Sequence, residues 1–168
     1  LNKGKTEKWL PAADVHGEGI FIEFNQETID KWLQNSELNT LSTKYAECYK
    51  EFCESKGWTL TVLRDARYVL MHTFAHLLIK QMSMASGYSS SAIRERIYFG
   101  DNMSGILLYT GSADKEGSLG GLVELGNINQ LNVLMRDAFQ EALLCTNDPE
   151  CLNNIPAGNN SNGAACHS

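Results

Sequence analysis

Between Leu63 or Arg64 and Ser86 the chain places Val69, Leu70, Phe74, Leu77, Leu78, Met82 and Met84 close to the 3.6-residue helical period. The apolar positions spread around much of the circumference, so this helix is expected to be central, with the rest of the fold packed around it. Gly87 is placed to close it. A chain of 168 residues with 43% apolar and 20% charged residues is long enough to build one real core around such a helix.

The other elements group around that helix. Gly19-Ile-Phe-Ile-Glu-Phe24 reads as a strand with Ile20, Ile22 and Phe24 on its buried face. Asn25 to Thr28 offers caps for a helix through Trp32 and Leu33, and a second helix is expected from Leu41 to Ser55, ending at Lys56-Gly57. Ser89-Ser-Ser91 precedes a short segment with Ile93 and Ile97 that fits helix or strand. Gly105 to Thr110 reads as a buried strand. A glycine-rich loop spans Gly111 to Gly121, a short element Leu122 to Leu125, and a last amphipathic helix Ile128 to Leu144. The class expected is α+β, a small sheet packed against three to four helices. Residues 1–17 are expected to be a flexible lead, 18–144 the core, and 145–168 a cysteine-rich loop.

That loop carries the clearest chemistry. Cys145, Cys151 and Cys166, with His167, fall in the last 24 residues on a stretch too polar to pack a core. Zinc takes four N/S ligands in a tetrahedron, and paired cysteines on short loops supply adjacent corners. The tail is therefore read as a structural zinc site that needs a fourth ligand, expected at the residue after Ser168. His167 is a poorer choice because adjacent residues rarely ligate one metal well; the alternative is three incidental thiols. The start at Leu1 fits a piece of a longer protein. Cys48 and Cys53, five apart on a helix, do not share a face and are read as packing residues. Five cysteines without a secretory pattern point to thiols or metal ligands in a reducing compartment.

Two further places hold reactive side chains. His72 and His76 lie four apart, on one helical face, a spacing that can hold a metal. No glutamate stands between them as in zincin proteases, and buried, hydrogen-bonded histidines are the plainer reading. Asp114 and Glu116 on the glycine-rich loop could pair with them, or with Arg94 and Arg96. That loop matches neither the Walker pattern nor the dinucleotide fingerprint. The net charge of −6 weighs against a free-standing nucleic-acid binder. Lys3, Lys5, Lys8, Arg94 and Arg96 are the basic residues from which a local patch could form. The most apolar run, Tyr68 to Ile79, is too short to span a bilayer.

Tyr68-Val-Leu-Met-His-Thr-Phe-Ala-His-Leu-Leu-Ile79, Ser86 to Tyr98, Gly105 to Tyr109, Gly117 to Leu122 and Gly163-Ala-Ala-Cys-His167 together resemble the MrfA-type zinc-binding domain family. That domain occurs in superfamily 2 DNA helicases and in the DISARM anti-phage system. Trp9 to Ala12 and His16 to Phe21 look more like the DISARM branch, the DrmB-like proteins. The resemblance implies a four-cysteine zinc site whose positions fall on Cys145, Cys151 and Cys166. It also implies a bacterial, cytoplasmic protein that works with a helicase partner on DNA. It brings no ATPase motif and gives His72 and His76 no catalytic role. The function expected is a zinc-stabilised accessory domain for assembly with a helicase subunit, touching DNA through that partner or a local basic patch. The alternatives are a hydrolase built on His72, His76 and Asp114, with Glu116 beside them, and a purely structural cap.

Overall fold

The computed structural model of the chain describes residues 17–60, 64–100, 103–111 and 120–143. The elements run β1 (Gly19–Glu23), α1 (Gln26–Leu33), α2 (Ser36–Ser55), α3 (Ala66–Ser86), β2 (Ile93–Gly100), β3 (Met103–Thr110), α4 (Gly121–Leu125) and α5 (Ile128–Glu141). The three strands form an antiparallel sheet in the order β1-β3-β2, and with five helices the class is α+β.

Short polar residues set most helix starts. Asn25 accepts from the Thr28 amide, Asn35 from Glu37 and Leu38, Asp65 from Arg67 and Tyr68, and Asn127 from Asn129. Two expected boundaries move for this reason: α2 begins at Ser36 rather than Leu41, and α3 at Ala66 rather than Leu63 or Arg64. At its far end α3 stops where Gly87 takes the left-handed conformation, φ 75°. The last helix ends at Glu141, short of Leu144. The segment around Ile93 and Ile97 resolves as strand, because it pairs along its whole length with β3, Ile93 opposite Thr110 through Gly100 opposite Met103.

Helix α3 is central, as its sequence demands. Met71, Phe74, Ala75, Leu78, Ile79 and Met82 are buried and meet Ile93, Ile106 and Leu108 of the sheet, Leu122 and Leu125 of α4, and Leu134 and Ala138 of α5. Met84, counted in the apolar pattern, is 64% exposed near the helix end. Lys80 pairs with Glu141, and Gln81 donates to the same carboxylate at 2.6 Å, which joins the polar ends of α3 and α5. Phe24 meets Phe74 edge-on, and Phe74 stacks on Phe139.

Alternation along the strands gives the sheet two faces. Ile20, Ile22, Ile93, Ile97, Ile106 and Leu108 turn toward α3. Phe21, Arg94, Arg96, Tyr98 and Leu107 occupy the opposite face, where Phe21 meets Tyr98 edge-on and Arg96 lies over the Tyr98 ring. Gly105 is opposite Tyr98 in β2 and Glu23 in β1, and an added Cβ there would come within 2.7 Å of the Phe21 ring.

Candidate metal centre

One turn of α3 and one inward slot of β2 build the site. His72 and His76 are four apart on the helix, so their rings sit one above the other, centroids 4.6 Å apart. In β2 the residues Ile93, Glu95, Ile97 and Phe99 share a face, which puts a carboxylate in a row of apolar side chains pointing at α3. Glu95 Oε1 lies 3.0 Å from His72 Nε2 and 3.3 Å from His76 Nε2, and the two Nε2 atoms are 2.9 Å from each other. Among the described residues this is the group of histidine, cysteine and acidic side chains whose donor atoms converge closely enough for a metal ion.

The three side chains are half-buried, 14%, 26% and 20% exposed for His72, His76 and Glu95, so water can reach them. Burial alone would raise the Glu95 pKa. Hydrogen bonds and charge from His72 and His76 outweigh it and bring the carboxyl to about 2. Its other oxygen, Oε2, is buried with no hydrogen-bond partner among the described residues. Tyr68 walls the site, its ring 5.5 Å from that of His72 and 5.2 Å from Phe99, with the Arg64 guanidinium 4.3 Å over its face.

The structure thus brings together the two histidines named from sequence and adds Glu95 as their acid. Asp114 and Glu116 lie outside the described residues, as do Cys145, Cys151, Cys166 and Lys3, Lys5 and Lys8. The signal for Glu95 was the Ile93-Arg-Glu-Arg-Ile97 alternation, which reads out only once the segment is taken as a strand. Cys48 and Cys53 are buried free thiols on α2, in keeping with a packing role, and burial pushes the Cys48 thiol up.

A second polar cluster is structural. Glu18 accepts from the amides of Gly120 (2.8 Å), Leu122 (3.0 Å) and Val123 (3.2 Å) and from the Tyr88 hydroxyl (3.0 Å). Gly17 and Gly19 flank it because β3 comes too close for a side chain: a Cβ on Gly17 would stand 1.9 Å from the Thr110 carbonyl oxygen. No described helix is long and apolar enough to cross a membrane.

An α+β core around one buried helix, followed in sequence by Cys145, Cys151 and Cys166, is what this chain brings to a comparison with known proteins. Residues 74–168 match the MrfA Zn-binding domain family, and the chain belongs to that family. The match takes in His76, Glu95 and the three tail cysteines and begins just after His72. The chain is also 60% identical over 162 residues to the DISARM protein DrmB of Bacillus paralicheniformis, an alignment that covers 95% of this chain and 29% of that protein. The chain spans under a third of that relative's length.

Proposed function

We propose that this chain is a zinc-stabilised accessory domain of a DISARM-type anti-phage defence protein, which works by joining a helicase subunit rather than by catalysis. The observation that carries this reading is 60% identity sustained along 95% of the chain to a DISARM protein. Zinc is assigned to Cys145, Cys151 and Cys166 with one further ligand, where it would supply a crosslink between these cysteines. The partner surface is assigned to the sheet face turned away from α3. Phe21 is 54% exposed there, in contact with Tyr98; Arg96 lies over the Tyr98 ring and Arg94 further along the same face. An aromatic pair with arginine beside it is the composition that dominates binding energy at protein interfaces. The net charge of −6 favours a protein partner over direct grip on phosphate.

Co-elution of the full chain with the helicase subunit of its own defence system tests the reading. The expected result is a stable complex that Phe21→Ser and Arg96→Glu together weaken at least tenfold. A zinc-loaded chain that fails to bind the helicase leaves the structural-cap role and sinks the assembly role.

A further inference from the structure

We propose that His72, His76 and Glu95 form a second metal site, distinct from the cysteine tail, for a borderline divalent cation such as Zn2+ bound through two imidazoles and one carboxylate.

The first argument is proton counting. A neutral imidazole Nε2 either carries a proton or offers a lone pair, and a carboxylate oxygen only accepts. Three such atoms at 2.9, 3.0 and 3.3 Å form a closed triangle. If both nitrogens are protonated, both donate to Glu95 Oε1 and the contact between the nitrogens sets donor against donor. If one is protonated, its single proton leaves a lone pair facing a lone pair on another edge. Every protonation state therefore leaves one edge unsatisfied in a half-buried site, where unmet polar contacts are costly. A cation satisfies all three atoms together, each through a lone pair.

The second argument is size. Zinc binds imidazole nitrogen and carboxylate oxygen at about 2.0–2.2 Å, which places neighbouring ligand atoms roughly 2.9 Å apart at right angles and about 3.4 Å apart in a tetrahedron. All three observed separations fall in that window. A cation would stand about 1 Å off the plane of the three donors. The i,i+4 histidines come from one helix and the glutamate from a strand paired along its whole length with β3, so the donors are held before metal arrives.

Chemistry then narrows the ion. Two imidazoles and one carboxylate suit Zn2+ and the neighbouring divalent transition metals, whereas Ca2+ and Mg2+ prefer oxygen throughout. Three protein ligands leave at least one coordination position for water or an anion, unlike a closed four-thiolate site. Glu95 Oε2, buried and without a hydrogen-bond partner among the described residues, is positioned to become a second carboxylate contact.

Cobalt(II) is the probe, added to the full chain with Cys145, Cys151 and Cys166 all changed to serine. The expected result is one bound equivalent, with a visible spectrum free of thiolate charge-transfer bands. Glu95→Gln on the same background, which keeps the shape and removes the charge, is expected to lower cobalt affinity at least tenfold. A second measurement uses the wild-type chain, so that it does not depend on folding of the serine variant. Zinc added to it is expected to shift the Nε2 nitrogen resonances of His72 and His76. The proposal is overturned if those resonances stay unmoved through two equivalents of zinc, or if Glu95→Gln binds cobalt as tightly as its parent. A wild-type chain that takes up cobalt with no thiolate charge-transfer band would count against the tail assignment and support this site.

Discussion

Glu18 sits where three segments distant in sequence meet: the start of β1, Tyr88 after α3, and the first turn of α4. Its carboxylate stands in for a cap on a helix whose own N-cap, Gly120, has no side chain to offer. Burial would raise its pKa, but bonds from the Leu122, Val123 and Gly120 amides and the Tyr88 hydroxyl outweigh it, and the pKa is lowered from the ordinary 4.5. A lowered folded-state pKa adds stability that is present above pH 4.5 and fades as the pH falls below it. Glu18→Gln is therefore expected to cost about 2–3 kcal/mol at neutral pH, measured by urea unfolding. The gap between variant and wild type should narrow as the pH drops through the acid range. A gap that stays constant down to pH 3 would mean that the charge on Glu18 contributes nothing. One position earlier the constraint is steric. Gly17→Ala forces a methyl against a backbone carbonyl, and a loss of about 1–3 kcal/mol is expected in the same assay.

At the scale of elements, α3 carries the fold, and its two ends behave differently. Leu78 is fully buried between the sheet and α5, so Leu78→Ala should cost about 3–5 kcal/mol. Met84, six residues further on, is 64% exposed, and Met84→Ala should stay within about 0.5 kcal/mol of wild type. Equal losses from both would mean that α3 is not oriented as described. The sequence made α3 legible because its apolar residues cover more than one stripe, and it made the caps legible because Asn and Asp sit ahead of the apolar runs. It did not make β2 legible. Ile93 and Ile97 satisfy a helical i,i+4 spacing and a strand alternation equally well, and only pairing with β3 decides between them. The candidate site was half visible for the same reason. His72 and His76 announce themselves by spacing on a recognisable helix, whereas Glu95 is a charged residue in an inward slot of a strand that the pattern left open. No local rule links it to residues some twenty positions away.

For the whole molecule, charge decides how the domain can meet DNA. The chain carries −6 overall, yet Arg94 and Arg96 are both exposed on the sheet face opposite α3. Two arginines neutralise about two phosphates, and each phosphate contact contributes through counterion release that fades as salt rises. Against an acidic average, these two contacts alone are expected to hold duplex DNA only weakly at physiological ionic strength. On the proposed reading, Arg94 and Arg96 share the face that carries Phe21 and Tyr98 and would act on a protein partner's approach and register, while the aromatic pair would supply affinity. The isolated chain should therefore give no saturable fluorescence-anisotropy change with a duplex probe up to about 100 µM protein at about 0.15 M salt. Arg94→Glu with Arg96→Glu should leave that null result unchanged while slowing association with the helicase subunit. Saturable duplex binding in the low micromolar range, lost in the double variant, would move these arginines from a protein interface to a phosphate contact and make the domain a DNA-binding element in its own right.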